Sequence, residues 1–258
     1  MIQAAGGLMS ITGAPQEEGG QPQKVGVAIA DIMCGMYAAT AIIAALHERS
    51  GSGCGQSVEV PLYDSQVAWL GNQAMNFLVG GMVPGRLGTA HPNIVPYQAF
   101  GTADGYVMIA VGNDRQFADC IRCCGLPELA GDARFRRNED RLANRAELVA
   151  LMSAVLARQT SAHWTAEFAQ SGVPCSPISD IGEVFSSDYA KEHEIVRTVP
   201  HAYDPDLPTV ANPVRFSDDP VDYRAAPPLL GQHSGAVLTD WLGYSEEMIS
   251  QLRKAGTI

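Results

Sequence analysis

The chain has 258 residues, 46% of them hydrophobic and 17% charged, with 26 Gly and 16 Pro, a composition and length that suit one large mixed α and β domain or two modest ones. Its formal net charge of −11 argues against nucleic acid or an anionic membrane surface as the partner, and an anionic ligand would need a local basic patch. The 17 Lys and Arg are scattered and display none. Six cysteines (Cys34, Cys54, Cys120, Cys123, Cys124, Cys175) occur with neither a cationic leader nor a continuous apolar one. A reduced, cytoplasmic set of thiols is therefore expected.

In chain order, a polar Gly/Pro/Gln loop over 13–23 precedes a long helix expected over 27–49, apolar on most sides. No run reaches roughly 18 uninterrupted apolar residues. The nearest, 25–46, is broken by Asp31 and Gly35 and reads as a helix buried in a globular core rather than in a membrane. Gly51-Ser-Gly-Cys-Gly55 ends the helix, a strand is expected over 57–62, and helix resumes over 63–79. Residues 80–96 form a Gly/Pro-rich loop, long beside the usual connection of about 4–6 residues and so either functional or a linker. Strands over 97–100 and 106–111 flank Ala103-Asp104-Gly105, a hairpin signal because Asp-Gly tolerates positive φ. Helices follow over 115–124 and 145–159, the second with Asn144 and Glu147 at capping-box spacing. Trp164 and Phe168 form an i,i+4 pair on the next helix. Asp180 and Glu183 cap another, which runs into 187–194. Short strands over 195–199 and 209–216 surround a Pro-rich loop, and two short helices end the chain.

Few local patterns carry chemistry. The Gly51–Gly55 run has its helix before the glycines and a strand after, the reverse of a phosphate-binding fingerprint, so it reads as a helix C-cap. Cys120-Ile-Arg-Cys123 has C-x-x-C spacing but no second Cys or His pair at zinc-like distance, so buried thiols are expected and no metal site is read. His91 and His233 are loop histidines, and no Ser-His-Asp or Cys-His set assembles from local spacing. Asp31, inside an apolar helix, is expected to be paired or to face a cleft, because a bare buried carboxylate is prohibitive.

Longer stretches carry more. Gln3-Ala-Ala-Gly-Gly-Leu-Met-Ser-Ile-Thr-Gly13, Val25-Gly-Val-Ala-Ile-Ala-Asp31, Gly53-Cys-Gly-Gln-Ser-Val-Glu-Val-Pro-Leu-Tyr-Asp64 and Arg86-Leu-Gly-Thr-Ala-His-Pro-Asn-Ile-Val-Pro-Tyr-Gln98 resemble segments of the class III CoA-transferases. That family includes the formyl-CoA and carnitine CoA-transferases and the α-methylacyl-CoA racemases. Thr102-Ala-Asp-Gly-Tyr-Val-Met108, Gly172-Val-Pro-Cys-Ser-Pro177, Ala211-Asn-Pro213 and Pro228-Leu-Leu-Gly-Gln-His233 extend the likeness along the chain.

The resemblance implies an α/β fold: a partial Rossmann-like large domain with a small α+β domain inserted. Residues 1–66 would be the rear of the large domain, 67–96 a linker helix and loop, 97–185 the small domain, and 186–258 the return to the large domain. It implies CoA exchange between an acyl-CoA donor and a carboxylic acid acceptor, with acyl-CoA as substrate and no permanently bound cofactor. The family's nucleophilic Asp follows a Tyr and would fall two residues before Met1, so no catalytic residue is assigned within the chain, which is expected to be an inactive fragment by itself. The active-site loop maps to His91, Pro92, Asn93, Tyr97 and Gln98, without the glycine run of formyl-CoA transferase. Where the racemases have an acid this chain has Gln98, which cannot shuttle a proton, so transferase is favoured over racemase. A non-catalytic remnant that keeps the interlocking surface is the other alternative. The implied partners are a second copy in an interlocked homodimer, or a separate chain carrying the upstream half.

Overall fold

The computed structural model describes residues 1–258. They form two compact units, Met1–Ile178 and Ser179–Ile258, and the fold mixes helices with two antiparallel sheets.

The first unit opens with α1 (Ile2–Ala5) and α2 (Leu8–Ile11), followed by the long α3 (Ile29–Ser52). Gly53 ends α3 in the left-handed region at φ 73°, and its N–H donates to the Arg49 carbonyl at 2.9 Å, which confirms the cap reading of the glycine run. The expectation that this helix is buried does not hold: within this chain only Ala30 is buried, and Ile32, Met36, Ile42 and Leu46 are exposed. A helix apolar on most sides needs neighbours on most sides. Here α4 (Leu62–Ala68) and residues 58–60 cover one side, with Cys34 Sγ donating to the Val60 carbonyl at 3.1 Å. By length and composition α3 also suffices to cross a membrane, a test that soluble core helices pass as well. The strand expected over 57–62 is not formed, because no other strand lies beside it to share a ladder. The helix expected over 63–79 is two, α4 and α5 (Asn72–Leu78), broken at Gly71.

Strands β1 (Tyr97–Gly101) and β2 (Tyr106–Ala110) form the expected hairpin, with Tyr97 opposite Ala110 and Gly101 opposite Tyr106. The turn closes without a positive φ at Gly105. Thr102 N–H donates to the Gly105 carbonyl, and Gly105 N–H donates to Thr102 Oγ1. Asp104 accepts from the Ser161 N–H at 2.7 Å, and this bond comes first among the contacts that hold its carboxyl below the usual range.

Four helices and β3 complete the unit: α6 (Asp114–Cys123), α7 (Asn138–Ala143), α8 (Arg145–Leu156), α9 (Ser161–Gln170) and β3 (Cys175–Pro177), the last pairing with β2. Asn113 caps α6 by accepting from Gln116 N–H. Phe117, Cys120, Ile121 and Cys124, spaced i, i+3, i+4, i+7, turn inward. They meet Val107 and Ile109 from β2, Leu148 and Met152 from α8, and Phe168 from α9 in one core that spans residues 95–173. Trp164 stacks on Phe168 at 5.7 Å and donates its indole N–H to the Leu156 carbonyl. The capping box expected at Asn144 and Glu147 is absent. Asn144 donates instead to the Arg134 and Asp140 carbonyls, and Glu147 pairs with Arg134.

The second unit holds α10 (Ile181–Ser186), α11 (Asp188–Glu192), the antiparallel pair β4 (Val196–Val199) and β5 (Leu207–Val210), and helices α12 (Ser234–Leu242) and α13 (Glu246–Lys254). Asp180 and Glu183 form the expected capping box, each bond 2.8 Å. The second strand starts and stops earlier than expected. Asn212 N–H turns to the Tyr223 hydroxyl at 2.6 Å and Pro213 follows, so the ladder cannot continue.

The two kinds of apolar residue should separate on mutation. Ile109→Ala, in the filled core, is expected to lower stability by about 2–5 kcal/mol. Ile43→Ala, on the bare face of α3 at 68% exposure, should change it by less than about 0.5 kcal/mol. Urea titration followed by circular dichroism measures both.

Candidate functional site

The loop between α5 and β1 is where the structure gathers polar side chains. Its backbone would be irregular if left alone, yet nearly every carbonyl from His91 to Val95 is held from outside the loop. Arg145 donates to the His91 and Pro92 carbonyls at 2.8 and 3.1 Å. Asn138 donates to the Asn93 carbonyl at 2.8 Å and accepts from Val95 N–H at 3.1 Å. Asn76 and Asn93 pair amide to amide, at 3.1 and 3.0 Å.

Arg141 is the deepest of these anchors, at 1% exposure. Its Nε donates to the Val95 carbonyl at 2.7 Å, one terminal nitrogen to the Phe135 carbonyl at 2.9 Å, and the other to Asp114 at 2.8 Å. The guanidinium lies over the Phe117 ring, 4.3 Å from its centroid. A planar fork suits this task, because it reaches several fixed acceptors at once.

The expected site residues sit as follows. His91 stacks on Tyr97 at 5.2 Å, and its N–H donates to the Tyr97 carbonyl at 2.8 Å. Its Nδ1 accepts from the Asn93 N–H at 3.1 Å, which leaves the proton of the neutral ring on Nε2. Burial, and then the charge of Arg145, push the His91 pKa below its ordinary value. Pro92 is half-buried and Asn93 exposed. Gln98 lies on β1, two residues before the buried Phe100 and so on the same face of the strand, itself half-buried. The loop therefore brings His91 into contact with both Asn93 and Tyr97, with Gln98 on the adjoining strand.

Upstream, Gly80–Gly88 offers positive φ at Gly81 and Gly88. Arg86 fixes its end by donating to the Ala14 and Gly20 carbonyls, both at 3.2 Å. The other candidates lie elsewhere. Asp31 is exposed in the first turn of α3, where a carboxylate favours the helix dipole, and it lines a groove with Cys34, Val58 and Val60, the cleft-facing alternative of the expectation. His233 precedes α12 at the surface. Cys120 and Cys124 are buried, and their mutual hydrogen bond and burial push the Cys120 thiol well up. Cys175 is pushed to about 11 by burial. Such thiols are inert.

Sequence reasoning missed the anchors. Asn138 and Arg141 are spaced i, i+3 on α7, a helical-face signal for residues acting together, whereas Arg145 opens the separate helix α8 and carries no such signal. The arginine-rich surroundings, with Arg134, Arg136 and Arg137 beside them, obscured it.

Two measurements test this geometry. Arg141→Lys keeps the charge but not the fork, and should cost about 2–4 kcal/mol by orphaning buried carbonyls. It should also speed amide exchange at Val95. Arg145→Met should raise the His91 pKa, read by NMR titration. Because the folded pKa is the lower one, the neutral ring stabilises the fold fully above the unfolded value of about 6.5, and that contribution is lost as the pH falls from there through the folded pKa. An unchanged titration in the variant would show that the Arg145 charge does not act on the ring.

Comparison with known proteins supplies the context. Residues 1–234 match the profile of CoA-transferase family III. The chain is 40% identical over 255 residues to the succinyl-CoA:glutarate CoA-transferase of Mus musculus, covering 99% of this chain and 58% of the relative. It is 38% identical over 240 residues to the succinate–glutarate CoA-transferase of Agrobacterium fabrum, covering 93% and 59%. A crystal structure of a CAIB/BAIF family protein from Brucella suis superimposes with a TM-score of 0.74 at 40% identity, covering 93% of this chain and 61% of that one. The chain spans about three fifths of the length of these relatives, and by the profile match over residues 1–234 it belongs to CoA-transferase family III.

Proposed function

We propose that the chain forms the later part of an enzyme that exchanges CoA between an acyl-CoA donor and a carboxylic acid acceptor. The observation that carries this reading is that the likeness to named CoA-transferases runs over 99% of the chain rather than over one motif. Several relatives are named for dicarboxylic acids, among them glutarate, oxalate and mesaconate. A short dicarboxylate is therefore the acceptor class proposed here.

The chemistry needs a carboxylate nucleophile, which the family resemblance puts on an Asp preceding Met1. That carboxylate attacks the thioester carbonyl and expels CoA thiolate, leaving an acyl anhydride on the enzyme. The thiolate then attacks the enzyme's own carbonyl of the anhydride, releasing the donor acid and leaving CoA in thioester linkage to the Asp. The acceptor carboxylate attacks that thioester and expels CoA thiolate to give a second anhydride, and the thiolate then attacks the acceptor's acyl carbon and releases the Asp carboxylate. One thioester is exchanged for another, so no ATP is consumed. Every intermediate is open to hydrolysis, so water must be kept out.

That task is assigned to the loop of His91, Pro92, Asn93, Tyr97 and Gln98. With its carbonyls held by Arg141, Arg145 and Asn138, it serves as a fixed wall, and any hinge motion falls to the glycines of 80–88. In the domain plan, residues 1–66 and 186–258 belong to a large domain, 67–96 to a linker and 97–185 to a small domain, in keeping with a core confined to 95–173. Exposed apolar side chains such as Ile43, Leu78, Val79 and Val83 mark surface that a further segment or a second, interlocked copy would cover.

The isolated chain 1–258 is expected to transfer no CoA from succinyl-CoA to glutarate and to bind an apolar dye strongly. A polypeptide extended upstream through an in-frame Tyr-Asp pair should turn over, and lose that activity when its Asp is replaced by Ala. Turnover by 1–258 alone would overturn the assignment of the nucleophile. An extended polypeptide that folds but transfers nothing would favour a non-catalytic remnant, and exchange of an acyl-CoA α-proton in heavy water would favour a racemase.

A further inference from the structure

The second unit holds a cleft of its own, and the polar groups in its wall are out of balance. Its volume is about 720 Å3, inside the roughly 300–1,000 Å3 usual for small-molecule sites. Every residue lining it lies between Tyr189 and Tyr223, so none belongs to the loop of His91. Val210, Phe216 and Val221 supply apolar surface that is open to solvent.

Three polar side chains in the same wall have donors to spare. Arg215 donates to the His193 carbonyl at 3.2 Å and approaches His193 Nδ1 at 3.4 Å. The ion pairs of this unit, Lys191–Asp188, Arg197–Glu194 and Arg224–Asp222, leave Arg215 out. The Tyr223 hydroxyl accepts from the Asn212 N–H at 2.6 Å, which leaves its own proton to give. Asn212 Oδ1 accepts from the Val214 N–H at 2.8 Å, which leaves the amide NH2 free.

The second arginine of the wall is already neutralised. Glu194 follows α11 at φ 48°, where a glycine usually sits, and is the one non-glycine residue of the chain with positive φ. Its side chain does what a glycine could not and pairs Arg197 at 2.6 Å. Arg215 therefore remains the unpaired cation, beside two neutral donors. A guanidinium fork of this kind matches a carboxylate. A doubly charged phosphate suits the wall less, because the unpaired Glu192 also lines it.

We propose that this cleft binds a monocarboxylate with an apolar body, the carboxylate on Arg215, Tyr223 and Asn212 and the body against Val210, Phe216 and Val221. Aromatic and aliphatic acids share that chemistry. The site lies wholly in the second unit and is additional to the transfer reaction.

The test uses the chain 1–258 with phenylbutanoate, hexanoate and the neutral phenylbutanamide, none of which involves CoA, so its outcome is independent of the transferase reading. Binding is read by NMR from the Val210 and Val221 methyls and the Asn212 side-chain amide. At least one acid should shift these signals saturably. Affinity should fall on the order of tenfold or more for phenylbutanamide relative to phenylbutanoate, and for the acid that binds in Arg215→Gln. Arg215 is exposed, and an unchanged circular dichroism spectrum checks that the variant is folded. Preference for phenylbutanoate assigns an aromatic body and preference for hexanoate an aliphatic one; either supports the proposal. No saturable shift with either acid would overturn it. So would an amide that binds as well as its acid, or Arg215→Gln binding as tightly as the parent.

Discussion

A guanidinium with almost no access to water has to be surrounded by acceptors, and the first unit is arranged around that requirement. Arg141 reaches the loop before β1 through Val95, the segment before α7 through Phe135, and the start of α6 through Asp114. The three pieces are separate in sequence, and two of them are irregular where they are gripped, while Asp114 is the first residue of α6. Hydrophobic burial alone would leave their spacing loose, because it has no direction. The directional bonds convert a filled core into one with a defined edge, and the loop carrying His91 is that edge. Arg145 and Asn138 extend the same device by one turn each way.

How much of this could be read in advance depended on whether the cause was local. Alternation of Val107 and Ile109 on β2, the Trp164–Phe168 pair and the Asp180–Glu183 box each act within a few residues, and each was legible. The segment over 57–62 has the right residues for a strand, but a strand exists only with a partner, and pairing is not a property of one segment. The Asn144–Glu147 spacing failed for a related reason: Arg134, outside the helix, competes for both side chains. The hairpin was legible and its turn chemistry was not. Thr102 supplies the hydroxyl that a positive-φ glycine would otherwise have made unnecessary.

The candidate site was half legible. Resemblance pointed to His91, Asn93, Tyr97 and Gln98, but the groups that hold them, Asn76, Asn138, Arg141 and Arg145, come from helices on either side of the loop and up to 54 residues away. Charge content gave no hint, since a chain at −11 overall still concentrates its arginines here. Helix α3 shows the opposite limit. Its sequence correctly announces a helix that wants to be covered, while the described residues supply cover along one side.

Arg86 leads to a last consequence. By holding the Ala14 and Gly20 carbonyls, it closes the intervening stretch into a ring that begins and ends at one junction. The entropy of closing such a ring grows only as the logarithm of its length, about 0.6 kcal/mol for each doubling. Residues could therefore be added to or trimmed from the far side of the ring with little effect on the junction.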